Sequence, residues 1–172
     1  MFKSMFISEW RFFTRQPSFY IASIILFAIA VFIPSFQKLV KSFGGNIHVN
    51  GVFFVTEMMT MMGIFGLFLV VTFIGNSALK DHTSKMSEVL YCKPIKPVQY
   101  QLGRFFGAYA AIVLSFALVP IGLFIGGMMP WIAPERVGDI NFSHYSNAFF
   151  YLSMPTLFAF SCFFYGVAIR VK

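Results

Sequence analysis

Four long runs without a charged residue divide this chain of 172 residues, and they constrain its fold more than any other feature of the sequence. The runs hold 22, 22, 30 and 30 residues, and aliphatic and aromatic side chains dominate each of them. About 20 apolar residues are enough for a helix to cross the hydrocarbon core of a membrane. The pattern therefore predicts an all-α membrane protein with four transmembrane helices, at residues 18–36, 56–78, 105–129 and 147–169.

The overall composition agrees with this fold class. Hydrophobic residues make up 58% of the chain and charged residues only 11%, which excludes an ordinary soluble domain. The two longer runs exceed the length that a straight span needs. The excess predicts tilt, an interfacial turn, or a helix broken near Pro120 or Pro155.

Basic residues are unevenly divided between the segments that join the four runs. Ten of the thirteen Lys and Arg residues lie at the two termini and between the second and third runs, whereas Lys38, Lys41 and Arg136 lie on the other side. Because Lys and Arg are enriched in the cytoplasmic segments of membrane proteins, we expect both termini in the cytoplasm. This topology accounts for the net charge of +7, which therefore does not indicate a nucleic-acid partner.

Residues 1–17 predict an amphipathic helix that lies in the membrane interface ahead of the first span. When the segment is placed on a helix, one face is mainly apolar and the other is polar. The apolar face holds Phe2, Met5, Phe6, Trp10 and Phe13, and the polar face holds Lys3, Ser4, Ser8, Arg11, Thr14 and Arg15. Glu9 falls within the apolar face, and we expect it to pair with a basic residue. The segment is interpreted either as a simple membrane anchor or as an elbow helix that holds the first span against a neighbouring domain.

Small residues recur at every fourth position along the start of the third run. This seam consists of Gly103, Gly107, Ala111 and Ser115, and Gly122 and Gly126 continue it. Small side chains let a second helix approach closely inside a membrane. We expect a helix of the same chain to occupy the seam, and a contact between two copies is the alternative.

The sequence contains no recognisable catalytic motif. It has no H-E-x-x-H, G-x-S-x-G or C-x-x-C pattern and no Walker-type phosphate-binding loop. We therefore expect no catalytic residue, no cofactor and no metal site in this chain. Without a Walker loop the chain cannot hydrolyse ATP by that machinery on its own.

Clustered methionines support one alternative, a component of copper export. The clusters consist of Met58, Met59, Met61 and Met62 in the second run and of Met128 and Met129 in the third. Thioether sulfurs are soft ligands that suit Cu(I). Methionine also fills irregular gaps in crowded helix bundles, which is the competing interpretation.

Residues 80–101 form the one long polar segment between two hydrophobic runs. Asp81 or Thr83 could cap a short helix whose polar face carries Lys85 and Glu88. The prolines of K-P-I-K-P, beginning at Lys93, then end that helix. A stiff polar helix between two spans predicts a docking surface for a cytoplasmic partner, and an ordinary solvated basic loop is the alternative.

The order of motifs in this part of the chain resembles the ABC-2 type permeases. K-D-x-x-S-K-M-S-E-V-L-Y-C-K-P-I followed by Q-Y-Q-L-G-R-F-F-G-A is similar to the first cytoplasmic loop of that family. The opening E-W-R-F-F-T-R-Q-P-S-F is similar to its N-terminal elbow helix. The resemblance covers the first two-thirds of the chain in order.

The resemblance implies a multi-pass permease subunit of an ATP-driven exporter in a bacterial inner membrane, surrounded by membrane lipid. A separate cytoplasmic subunit binds ATP, so the chain itself needs no cofactor, and a second permease copy or homologue completes the membrane domain. Residues 80–101 would form the cytoplasmic coupling loop, in which about Asp81–Pro94 would act as the coupling helix. Its docking residues would be Asp81, Lys85, Glu88, Tyr91, Lys93 and Pro94.

The number of spans departs from the family pattern. Family members usually have six spans in each permease, whereas this sequence predicts four. The sequence is therefore interpreted either as a permease of this type or as the N-terminal part of a longer one. The competing hypothesis is a four-span membrane scaffold or anchor protein that does not transport, for which the small-residue seam would provide the contacts.

Overall fold

The computed structural model describes residues 2–36, 48–83, 97–130, 132 and 134–170. These residues form helices and, within the described ranges, no strand. The α-helices are α1 (Phe2–Arg15), α2 (Pro17–Phe32), α3 (Val52–Thr83), α4 (Pro97–Phe116), α5 (Leu118–Gly127), α6 (Phe142–Ala148) and α7 (Met154–Arg170). Short 3₁₀ turns occur at Ile33–Ser35 and Pro134–Arg136, and a π-helix at Phe149–Ser153 joins α6 to α7.

Four stretches of helix in this part of the chain are long and apolar enough to cross a membrane. They are Pro17–Ser35, Val52–Ala78, Val98–Gly127 and Phe142–Arg170. The prediction of an all-α protein with four spans is thereby confirmed. The location of α1 in the membrane interface and of both termini in the cytoplasm stay predictions.

Prolines interrupt the third and fourth spans. Pro120 has no N–H to donate to the carbonyl of Phe116, and the third span breaks between α4 and α5 at Ala117. Pro155 likewise cannot donate to the carbonyl of Tyr151, which lies within the π-helix that precedes α7. The two spans are therefore each built from two helical pieces.

Helices α1 and α2 run alongside the third span. Helix α1 packs against α4, and α2 packs against α5. A Cβ atom on Gly103 would lie 2.9 Å from Met5 Cβ, and one on Gly107 would lie 2.8 Å from Glu9 Cβ. Because both helices advance by four residues between these contacts, α1 and α4 run side by side in the same direction.

The long helix α3 lies against the other side of this pair and contacts both α4 and α7. Its Phe73 is buried, and the Phe73 ring centroid lies 5.3 Å from that of Phe13 in α1. Phe116 and Ile112 of α4 are fully buried in the same core. The core is therefore shared by α1, α3 and α4, and this arrangement brings polar groups from three helices together.

Candidate functional site

Most of the predicted docking residues lie outside the part of the chain that the structure describes. This holds for Lys85, Glu88, Tyr91, Lys93 and Pro94. Asp81 belongs to the last turns of α3, and its side chain is likewise outside the described part. The structure instead describes the two helices from which this segment emerges, and their surroundings.

The segment 84–96 joins the end of α3 at Thr83 to the beginning of α4 at Pro97. Proline suits the first position of a helix, because the N–H that it lacks has no partner within the helix there. The last helix, α7, also ends near this place, since Tyr165 Oη donates a hydrogen bond of 3.1 Å to the carbonyl of Gln101. We call this end of the bundle the loop end.

A buried ion pair lies at the loop end. Arg104 Nε of α4 is 3.2 Å from Glu9 Oε1 of α1, and the side chains are 4% and 7% exposed. Charged side chains are rarely buried unless they are paired, because leaving water costs each of them several kcal/mol. Glu9, the charged residue on the apolar face of α1, therefore has its counter-ion on α4.

The guanidinium of Arg104 contacts two further groups. Its Nη1 donates to Tyr100 Oη at 3.3 Å, and its Nη2 donates to the backbone carbonyl of Ser77 in α3. The Arg104 side chain also lies over the Tyr100 ring, 5.4 Å from the centroid. A single side chain thus connects α1, α3 and α4. We call the set Glu9, Ser77, Tyr100 and Arg104 the Arg104 joint.

Two glycines make the joint sterically possible. Cβ atoms on Gly103 and Gly107 would lie 3.1 Å and 3.0 Å from the carbonyl oxygens of Phe2 and Phe6, which leaves no room for a larger side chain. The absence of a side chain at these positions lets α1 approach the backbone of α4 closely. That approach brings Glu9 within reach of Arg104, one residue after Gly103.

The rest of the seam faces helices of the same chain. Ala111 and Ser115 are fully buried, and the hydroxyl of Ser23 in α2 donates to Ser115 Oγ at 2.9 Å. Beyond them, a Cβ atom on Gly122 would lie 2.8 Å from Ala30 Cβ of α2. The seam therefore contacts α1 at its start and α2 further along.

The methionines of the copper hypothesis have different surroundings. Met58, Met59 and Met62 are buried in the hydrophobic core, and Ser153 Oγ lies 4.0 Å from Met59 Sδ. Met128, in contrast, is 52% exposed. Burial of the α3 methionines among apolar side chains favours the packing interpretation.

A second buried polar contact lies at the opposite end of the bundle. Tyr145 Oη of α6 donates a 3.0 Å hydrogen bond to Oδ1 of Asn50, just before α3 begins. The ring of Phe124 in α5 stands perpendicular to that of Tyr145, with centroids 5.5 Å apart. This contact connects the starts of α3 and α6 with α5, at the end of the bundle farthest from the Arg104 joint.

The sequence alone does not identify which basic residue pairs with Glu9 in the Arg104 joint. The sequence shows that Glu9 needs a cation, but the chain contains thirteen Lys and Arg residues. Arg104 differs from most of the others, because it directly precedes a run of 30 uncharged residues and follows the seam residue Gly103. This position within a close-packing motif is the signal that could have identified it.

Comparison with known proteins agrees with the resemblance seen in the motifs. A family model described as ABC-2 family transporter protein matches residues 35–172. No curated protein and no solved structure matches the chain. The match covers most of the chain and includes α3, the segment 84–96 and all of α4 to α7. The predicted family is thereby confirmed: the chain belongs to the ABC-2 transporter family and is a multi-pass membrane protein with a role in transport.

Proposed function

We propose that this chain is the permease subunit of an ATP-driven exporter in a bacterial inner membrane. A separate cytoplasmic subunit binds and hydrolyses ATP and docks on residues 80–101. A second permease copy or homologue completes the membrane domain. The chain itself performs no covalent chemistry, and its task is to convert movement of the ATP-binding subunit into movement of its spans.

The observation that carries this proposal is the Arg104 joint. The proposed docking segment connects α3 to α4, and Arg104 holds both helices together at that end while it binds Glu9 of α1. A displacement of the segment 84–96 therefore acts on α3 and α4 as a unit. The Glu9–Arg104 ion pair transmits the same displacement to α1. Because α1 is joined to α2 at Gln16, α2 moves with it.

The interruptions of the third and fourth spans suit this mechanical role. The joint fastens the loop end of α3 and α4, whereas Ala117 and the π-helix Phe149–Ser153 interrupt regular helix further along. A helix broken at proline bends more readily than a continuous one. The loop end can therefore move as one body, while the opposite halves of these spans change their angle to it.

Crosslinking from Cys92 tests the proposal directly, because this residue lies within the proposed docking segment. A photo-activated crosslinker is attached to Cys92 in native membranes, and the captured protein is identified by mass spectrometry. We expect an ATPase with a Walker motif, captured to a different extent with ATP than without nucleotide. The Cys92→Ser variant is the matched control, since it retains the exposed Cys162 of α7.

The competing scaffold hypothesis predicts a different outcome. Capture that does not respond to nucleotide would favour a scaffold over an exporter. Capture of no ATPase, with Cys92 shown to be labelled, would contradict the docking proposal.

A further inference from the structure

The face of α1 that points away from α4 is basic. Met5, Phe6, Glu9, Trp10 and Phe13 are at least partly buried on the inner face. The outer face is exposed and consists of Lys3, Ser4, Ile7, Ser8, Arg11 and Arg15. Because successive helical residues are rotated by about 100°, Arg11 lies nearly opposite Glu9 and Phe13. One face of α1 therefore packs against α4, and the opposite face carries three cations.

Two adjoining depressions lie along this outer face. One of about 640 Å³ is lined by Lys3, Ser4, Ile7, Ser8 and Arg11. The other, of about 450 Å³, is lined by Ser8, Arg11, Phe12, Arg15, Gln16 and Pro17. Both are open to the outside, and they share Ser8 and Arg11. Together they form a shallow basic groove along the length of α1.

The described residues around this groove do not balance its charge. Among the residues that the structure describes, no carboxylate lines either depression, and Glu9 lies on the inner face with Arg104. Among the described residues, the only ion pair of α1 is that of Glu9, and Lys3, Arg11 and Arg15 form none. The three cations therefore present a positive potential to whatever approaches this face.

We propose that the basic groove of α1 binds the headgroups of anionic phospholipids. Lysine and arginine donate charge-assisted hydrogen bonds to phosphate oxygens, and the arginine fork can bind two oxygens at once. The hydroxyls of Ser4 and Ser8 add donors of the right size beside the cations. This inference goes beyond the proposed export function and does not depend on it.

The position of the groove favours lipid over a protein partner. Arg15 is two residues from Pro17, where the first candidate span begins, so the predicted topology places the end of the groove beside the lipid headgroups. Ile7 and Phe12 are 36% and 38% exposed beside the cations. Cations mixed with exposed apolar side chains suit the membrane interface, where both phosphate and acyl chain are within reach.

Native mass spectrometry of the full chain in detergent tests the proposal. Phosphatidylglycerol or phosphatidylcholine is titrated onto the protein, and the bound lipids are counted. The test variant is Lys3→Gln/Arg11→Gln/Arg15→Gln. The control is Lys38→Gln/Lys41→Gln/Arg136→Gln, which removes the same charge from the side predicted to face away from the cytoplasm.

We expect the test variant to bind phosphatidylglycerol about 100-fold more weakly than the native chain, since each basic residue near a surface contributes about fivefold. The control variant should change this affinity less than threefold, and phosphatidylcholine binding should not change in either. A charge-preserving variant, Lys3→Arg/Arg11→Lys/Arg15→Lys, should keep its phosphatidylglycerol binding. It also shows that the exposed face can be altered without loss of the fold.

Labelling of the Lys3 amine provides a second readout. In nanodiscs that contain phosphatidylglycerol we expect the labelling rate to fall at least fivefold relative to phosphatidylcholine nanodiscs, and to recover in 0.5 M salt. Equal labelling in both lipids, or equal lipid affinity of the test and control variants, would overturn the proposal. Protection of Lys3 in phosphatidylcholine nanodiscs by the captured ATPase, without protection by phosphatidylglycerol, would assign the groove to a protein partner instead.

Discussion

Glu9 Oε1 lies 3.2 Å from Arg104 Nε, and this contact joins the first helix of the chain to the start of the third span. The pair stands beside the helix ends from which the proposed docking segment emerges. Arg104 also binds the carbonyl of Ser77, so the same guanidinium holds α3. The joint is the one place in the described part of the chain where a charged side chain connects three helices.

Removing one member of the pair should destabilise the protein strongly. In Glu9→Ala the buried guanidinium loses its counter-ion, and loss of one partner from a buried pair costs about 3–5 kcal/mol. We expect the free energy of unfolding to fall by that amount, measured by denaturant titration in detergent micelles and circular dichroism. The double variant Glu9→Leu/Arg104→Met, which leaves no buried charge, should be more stable than Glu9→Ala. A cost below about 1 kcal/mol for Glu9→Ala would show that the pair is not buried in the protein.

Adding one methyl group at Gly107 should separate α1 from α4. The new Cβ would lie 2.8 Å from Glu9 Cβ and 3.0 Å from the Phe6 carbonyl oxygen. Overpacking of this kind costs about 1–3 kcal/mol. Gly75→Ala is the matched control, because nothing lies within 4 Å of its Cβ position. Equal unfolding free energies for the two variants would contradict the close approach of α1.

The polar contact at the opposite end should respond to loss of a single hydroxyl. Tyr145→Phe removes the donor to Asn50 Oδ1 and leaves a buried amide oxygen without that partner, at a cost of about 1–3 kcal/mol. Tyr151→Phe removes a hydroxyl from a side chain that is 83% exposed, and its unfolding free energy should match that of the native chain. Thermal unfolding of both variants in detergent provides the comparison.

Replacement of the docking segment should abolish partner binding without affecting the membrane domain. We expect a variant with Glu88–Pro94 replaced by glycine and serine to insert normally but to lose association with the ATPase captured through Cys92. Co-purification measures the association, and alkaline extraction of membranes measures insertion. Normal association of this variant would place the docking surface elsewhere.

Disruption of the joint should affect coupling and spare docking. The Glu9→Leu/Arg104→Met variant keeps residues 84–96 intact, so we expect it to bind the same ATPase with native affinity. Because Arg104 no longer fastens α3 to α4, stimulation of ATP hydrolysis by the membrane subunit should fall at least tenfold. Phosphate release in reconstituted vesicles measures this effect. Native stimulation together with native binding would remove the joint from the coupling mechanism.

The spans and the family could be predicted because their signals are local. Runs of 22 and 30 uncharged residues define membrane helices whatever lies elsewhere in the chain. Breaks near Pro120 and Pro155 follow from the missing N–H of proline in the same way. Each of these features depends on residues within a few turns of one another.

The Arg104 joint depends on residues that are far apart in the chain. The misplaced charge of Glu9 is visible on the helix, but its partner is determined by how α1 packs on α4. The seam poses the same difficulty, since its spacing predicts a close neighbour and does not identify it. Gly103 and Gly107 contact α1, whereas Gly122 contacts α2, and only the fold assigns them.

The distance along the chain between Glu9 and Arg104 has a consequence for biosynthesis. The carboxylate of Glu9 leaves the ribosome first, and its counter-ion follows about 95 residues later, which takes roughly 5–20 s at ordinary translation rates. During this interval α1 cannot adopt its final place, because neither Gly107 nor Arg104 exists to receive it. Helix α1 is therefore made well before the residues that receive it, and it docks against α4 only after Arg104 has been synthesised.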